Sequence, residues 1–197
     1  MNPYEKLEMM LKENKGILRT QDVTKEEIPR VYLMEFVRRN SLERFSRGIF
    51  LSKEAYADSM YLLQSSYSQA VFSHDTALFL HDLTDREPIE YNATVKAGYN
   101  ARYIIARGVK VYKVKKDLYE LGLIEMKTPF GRIVKTYNLE RTICDIVRSR
   151  SNIEAQTFQN ALRNYVVRKD KNLPLLMRYA KKFRIENVLK KYLEVIL

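Results

Sequence analysis

The sequence predicts an α+β protein of two domains: an N-terminal helical unit closed by a hairpin over residues 1–52, and a mixed domain with a small sheet and C-terminal helices over residues 53–197. Three observations carry this. Apolar residues recur at helical spacing through the first forty residues and then yield to a hairpin pattern around Gly48. Short β-prone runs gather between Ile89 and Tyr137. From Asn138 onward the spacing is helical again. A segment of strands followed by a segment of helices is the pattern of an α+β domain.

Element by element, Tyr4–Asn14 reads as a helix, with Leu7, Met10 and Leu11 on one stripe and Asn14–Gly16 as its stop. Ile17 and Leu18 form a short extended piece. Thr20 is placed to cap a brief helix over Gln21–Lys25. Pro29 suits the first turn of a third helix, where its missing N–H costs nothing; Leu33, Phe36 and Val37 are its apolar stripe, and Asn40 is its left-handed stop. Leu42–Leu51, turning at Gly48, is a hairpin. Ser52 is expected to cap a helix over Lys53–Ser66, and Ser73 another that carries Asp75 in its first turn. Strands are expected near Ile89–Val95, Val109–Val114, Leu121–Lys127 and Arg132–Tyr137, the last two joined by the turn Thr128–Gly131. Asn138 caps a helix to Arg148, and helices near Ile153–Arg168, Leu173–Phe183 and Ile185–Ile196 finish the chain.

The net charge of +11 favours a polyanionic partner: nucleic acid first, an anionic membrane surface second, an acidic protein third. No apolar run approaches the roughly 20 residues that span a bilayer. The charged start MNPYEKLEMM is unlike a secretory signal, and the single cysteine, Cys144, excludes an internal disulfide framework. The expected setting is the cytoplasm.

The order helix, short helix, helix, hairpin is that of a winged helix-turn-helix. In that motif the second helix of the pair enters the major groove of DNA. At 100° per residue Leu33, Phe36 and Val37 point one way and Val31, Glu35 and Arg38 the other, with Tyr32, Met34 and Arg39 on the flanks. An arginine can bind guanine bidentately, a carboxylate can accept from cytosine, and an apolar group can touch the thymine methyl. Arg30 at the helix start, Arg44 and Arg47 around the hairpin turn, and Lys15 and Arg19 near the start of the motif are candidates for phosphate or groove-edge contacts. The competing reading is a protein-docking module without sequence-specific DNA binding, because residues 1–52 hold ten Lys/Arg against eight Asp/Glu.

The basic surplus lies further along. Lys96, Arg102, Arg107, Lys110, Lys113, Lys115 and Lys116 fall in a stretch without acidic residues, interleaved with Tyr99, Tyr103 and Tyr112. If Val109 and Val111 face a core, Lys110 and Tyr112 face out. Two readings stand: a second DNA-contact patch, or a sheet edge kept from aggregating by lysines. Arg178, Lys181, Lys182, Arg184, Lys190 and Lys191 add charge near the C-terminus.

Catalytic and metal patterns are weak. His74 and His81 stand seven residues apart, about 10 Å along a helix, too far to share one zinc. Cys144 sits on an amphipathic helix and reads as a buried thiol. No phosphate-binding glycine loop or Cys/His zinc spacing occurs. The expectation is a protein without cofactor, metal or enzymatic activity.

Several blocks resemble the AbiEi-type antitoxins: GILRTQDV followed by IPRVYLMEFVRRNSLERFSRGIFL, then Ser73, His74, Ala77, Leu78, His81 and Leu83 within AVFSHDTALFLHDLTDREP, then Glu140, Arg141, Thr142 and Asp145 within TYNLERTICDIVR. Pro29 stands where that family usually has a capping serine, and Asn40 where it usually has glycine. The resemblance implies an antitoxin of a type IV toxin–antitoxin system linked to abortive phage infection. It implies that the winged helix binds inverted repeats in the operon's own promoter and represses it. It further implies that the C-terminal domain counters a nucleotidyltransferase-like toxin without forming a stable complex with it. On inverted repeats, a chain that is monomeric in solution would bind as a pair.

Overall fold

A computed structural model describes residues 2–196. The chain is a mixed α and β protein that divides into two compact units between Ser66 and Tyr67.

The N-terminal unit runs α1 (Pro3–Glu13), β1 (Ile17–Arg19), α2 (Thr20–Lys25), α3 (Arg30–Arg39), β2 (Glu43–Ser46), β3 (Ile49–Leu51) and α4 (Ser59–Ser66). Helix α1 starts with a capping box: the Asn2 side chain accepts from the Tyr4 amide at 3.0 Å, and Glu5 accepts from the Asn2 amide at 3.0 Å. The short extended piece is a true strand, since β1 and β2 both pair antiparallel with β3. Adjacent residues on a strand point to opposite faces. Leu18 and Phe50 therefore join Leu7, Val23, Ile28, Leu33, Phe36 and Leu42 beneath α1–α3, while Ile17 and Ile49 meet Leu62 of α4 on the other face.

That second apolar face moves the boundary. A division at residue 52 would leave Ile17 and Ile49 uncovered, so the unit extends to Ser66. Three local expectations shift with it. Ser52 caps no helix; its amide donates to the Gly16 carbonyl at 2.8 Å, and α4 begins only after Asp58, whose Oδ1 accepts from the Tyr61 amide at 3.1 Å. Pro29 and Thr20 are each displaced by one position: Pro29 precedes the first residue of α3, and Thr20 is the first residue of α2 rather than its cap. The left-handed residue after α3 is Ser41 (φ 51°), not Asn40 (φ −92°).

Gly16 makes the turn from α1 into β1 at φ +83°, and a Cβ there would lie 2.5 Å from Ser52 Oγ and 2.8 Å from Ala55 Cβ. Gly16→Ala is expected to cost about 2–4 kcal/mol, combining left-handed strain with overpacking. A urea melt checks it; a loss under roughly 1 kcal/mol would mean that the 52–55 segment gives way freely.

The C-terminal unit runs β4 (Val71–Phe72), α5 (His74–Leu80), β5 (Asn92–Lys96), α6 (Arg102–Ile105), β6 (Lys110–Val114), α7 (Lys116–Tyr119), β7 (Leu123–Lys127), β8 (Ile133–Tyr137), α8 (Leu139–Arg148), α9 (Ala155–Val167), α10 (Leu173–Lys182) and α11 (Glu186–Ile196). Its sheet has the order β6-β5-β4-β8-β7, with β5–β6 and β4–β8 parallel and the other pairs antiparallel. Asn138 caps α8 as expected, accepting from the Arg141 amide at 3.0 Å. Helix α8 is the hub of the second core. Ile143, Ile146 and Val147 pack with Phe158 and Leu162 of α9, Leu176 and Ala180 of α10, and Leu189 and Leu193 of α11.

Arg141 and Asp145, both fully buried on α8, form an ion pair at 2.9 Å. The guanidinium lies over the Tyr137 ring at 4.0 Å and the Phe183 ring at 4.5 Å, and Nη1 donates to the carbonyls of Leu118 and Leu121. Burial raises the Asp145 carboxyl, against the pull of Arg141 and Arg148.

Candidate nucleic-acid interface

In the N-terminal unit, the exposed side of α3 and the β2–β3 hairpin border an open groove of about 480 Å³. Arg19, Arg30, Arg44 and Arg47 line it together with Thr20, Gln21 and Met34, and no carboxylate is among its walls. Four of the unit's cations thus meet at one surface, although the charge balance of residues 1–52 is nearly even. Helix α2 delivers Thr20 and Gln21, the start of α3 delivers Arg30, and Gly48 (φ +77°) turns the hairpin that carries Arg44 and Arg47. Arg19 is fixed in place: its Nε donates to Asp22, and its guanidinium stands 5.6 Å over the Tyr61 ring.

The exposed side of α3 differs from the helical projection. Arg30, Val31, Met34 and Arg38 are open to solvent, with Val31 67% and Met34 45% exposed. Glu35 is withdrawn from that side. Its carboxylate accepts from Tyr4 Oη at 2.5 Å and pairs with Arg39 Nη2 at 2.5 Å, while the Arg39 guanidinium lies 5.0 Å over the Tyr4 ring. The Tyr4 hydrogen bond, joined by Arg39, lowers the Glu35 carboxyl below its ordinary range, and the same bond raises the Tyr4 phenol. Glu35 and Arg39 therefore bind α3 to α1. Tyr32 is half-buried, edge-on to Tyr4 at 5.5 Å. Lys15 is exposed in the turn after α1 and does not line the groove. Met34, on the flank of the projected face, lines the groove, and Thr20 and Gln21 join it without being expected DNA contacts; their neighbour Arg19 is the signal that points to them.

In the C-terminal unit the second cluster of basic residues is divided between the two ends of the β5–β6 pair, α6 and the start of α7. Strand register sets Lys96 and Lys110 at opposite ends of the β5–β6 pair. Lys96 pairs with Glu120 at 3.4 Å and caps the Tyr119 ring at 4.9 Å. Lys110 donates to the Asn152 carbonyl at 3.2 Å. Arg102 and Arg107 lie on and just after α6, and Lys115 and Lys116 open α7. Lys113 is exposed on β6, the outer strand, as the edge reading expects. Tyr112 does not face out: its ring stacks on His74 at 3.5 Å and 11°, because α5 covers that side of β6.

Both histidines and the cysteine are tied into this unit. His74, fully buried at φ 51°, has Nδ1 3.0 Å from Ser73 Oγ and Nε2 3.1 Å from Ser149 Oγ. His81 Nε2 stands 2.6 Å from the Tyr137 carbonyl, and Cys144 donates to the Leu176 carbonyl at 3.7 Å. Burial pushes the Cys144 thiol far up, which keeps it protonated and unreactive. Desolvation lowers His74 well below 6.5, helped by Arg148, Arg141 and Lys110, and it also lowers His81. A histidine with a depressed folded pKa contributes stability above its unfolded pKa and loses it as the pH falls. Stability is therefore expected to drop below about pH 6.5, and His74→Gln to remove the larger part of that slope. Urea melts across that range check it; an unchanged slope would assign the pH dependence elsewhere.

Among the described residues no helix is long and apolar enough to cross a membrane, and no group of three His, Cys, Asp or Glu side chains is placed to hold a metal. No family model and no curated protein matches the chain. A solved structure does: the Rv2827c protein of Mycobacterium tuberculosis superposes with a TM-score of 0.62 at 13% identity, covering 92% of this chain and 72% of that one. At that identity the likeness is one of fold.

Proposed function

We propose that the N-terminal unit is a winged helix-turn-helix that binds double-stranded DNA, with α2 and α3 as the helix pair and β2–β3 as the wing. The observation that carries this reading is the carboxylate-free groove between α3 and the hairpin, into which four arginines converge. Arg30, Val31, Met34 and Arg38 form the side of α3 offered to the major groove, where arginines read guanine and apolar groups meet thymine methyl. Arg44 and Arg47 take phosphates, and Arg19, already oriented by Asp22, supplies a further backbone contact. Glu35 and Arg39 act indirectly, by holding α3 at a fixed angle to α1.

The resemblance of the blocks around Gly16–Leu51, Ala70–Pro88 and Thr136–Arg148 to AbiEi antitoxins supports the wider reading. In it the chain is a cytoplasmic, non-enzymatic antitoxin that represses its own promoter through paired copies on an inverted repeat. Its C-terminal unit opposes a nucleotidyltransferase-like toxin without a lasting complex.

The test is a gel shift at physiological salt, comparing DNA from upstream of the gene with a scrambled probe of equal length. Two successive shifts on the native probe alone are expected. Equal weak binding to both probes would reduce the arginine groove to non-specific charge and favour a docking module that meets an acidic protein.

A further inference from the structure

The C-terminal unit holds a cavity of about 240 Å³ whose walls run against the charge of the chain. In a protein of net charge +11, it is lined by three carboxylates, Asp75, Glu90 and Glu154, and two cations, Arg86 and Lys110. Asp75 sits in the first turn of α5, Asn92 and Lys110 open the paired strands β5 and β6, and Glu154 immediately precedes α9. One of the two cations is engaged elsewhere, since the Lys110 ammonium donates to the Asn152 carbonyl.

Two wall residues carry an unmet demand. Asn92 is 3% exposed; its Nδ2 donates to the Glu90 carbonyl at 3.0 Å, and its Oδ1 has no partner. Asp75 Oδ1 is likewise buried and unpartnered, on a carboxyl that burial and Glu154 push upward against Lys110. Both orphaned atoms are acceptors, and buried acceptors normally have a donor. A phosphate or a nucleotide would bring further acceptors against them. The volume suits a group the size of an amino-acid side chain.

We propose that this cavity binds a positively charged nitrogen group, a guanidinium above all, whose N–H donors satisfy Asp75 Oδ1 and Asn92 Oδ1 while Glu154 balances its charge. A guanidinium presents five donors in a rigid planar fork, which can serve more than one acceptor of a cavity wall at once. The group can belong to a small free guanidine or to an arginine side chain of a peptide. The site lies wholly within the C-terminal unit and does not depend on the DNA-binding reading.

The test is isothermal titration calorimetry on the full chain at constant ionic strength, with agmatine as the free guanidine, Gly-Arg-Gly as the peptide-borne one, and inorganic phosphate as the contrary probe. One-site saturation by a guanidine is expected, with a dissociation constant below about 1 mM. Asp75→Asn is expected to weaken it about tenfold, the scale of one charge-assisted hydrogen bond. Should that variant fold poorly, Glu154→Gln, at an exposed position, is expected to weaken binding by about threefold. Agmatine alone saturating assigns the site to free guanidines; Gly-Arg-Gly alone assigns it to protein arginines. Saturation by phosphate, by neither guanidine up to roughly 20 mM, or equally in both variants would overturn the proposal.

Discussion

Removing both hairpin arginines, as Arg44→Ala with Arg47→Ala, is expected to weaken binding of promoter DNA by about a hundredfold at physiological salt, roughly tenfold for each charge-assisted hydrogen bond to phosphate. Both side chains are exposed, and the hydrogen bond at stake within the protein is the long one from Arg44 Nε to the Ser46 carbonyl at 3.4 Å, so the fold should be unaffected. Two signatures separate phosphate binding from base reading. Affinity for native and scrambled probes should fall together, and the slope of log K against log salt should flatten by about 0.9 for each phosphate no longer neutralised. Arg38→Ala should instead change the ratio between the probes, because Arg38 stands on the exposed side of α3 and not on the hairpin. A fluorescence-anisotropy titration at several salt concentrations gives both quantities. An unchanged slope in the hairpin double variant would remove the wing from the interface.

A larger effect on stability is expected at Arg141. Replacing it with methionine keeps much of the volume between Tyr137 and Phe183 but leaves the buried Asp145 carboxyl with only the longer pairing to Arg148 at 3.6 Å and releases the Leu118 and Leu121 carbonyls. Breaking one side of a buried pair typically costs about 3–5 kcal/mol. At about 2–4 °C per kcal/mol for a chain of this size, the melting temperature should fall by about 10 °C. Replacing both members, Arg141→Met with Asp145→Leu, should recover much of the loss, since no buried charge then remains unpaired. Differential scanning calorimetry of the two variants decides it; a double variant no better than the single would show that the arginine acts through the loop carbonyls and not through Asp145.

The helical framework is legible in the sequence wherever local periodicity carries the information. Helix α8 with its Asn138 cap, the three C-terminal helices and the hairpin at Gly48 all follow from neighbours in the chain. Strand β4, two residues long, is too short to show a period, although it sits at the centre of its sheet. The site divides the same way. Arg30, Arg44 and Arg47 can be named from sequence because helix starts and hairpin turns are local. The helical projection turns Glu35 outward, and nothing within one turn of α3 signals that Tyr4, thirty-one residues earlier, holds its carboxylate. Strand alternation places Tyr112 outside, and α5, a distant element, reverses it by stacking His74 on the ring. The boundary shifts for a comparable reason: only the pairing of β1 with β3 creates the second apolar face that α4 must cover.

The central place of β4 also bears on the order in which the protein is made. Every element of the N-terminal unit has been synthesised once Ser66 is in place. Strand β4 follows at once, but its neighbours are β5 and, much later, β8. Translation at about 5–20 residues per second spreads those arrivals over several seconds. Every residue that lines the arginine groove is thus present in the chain while the C-terminal sheet still lacks β5, β6, β7 and β8.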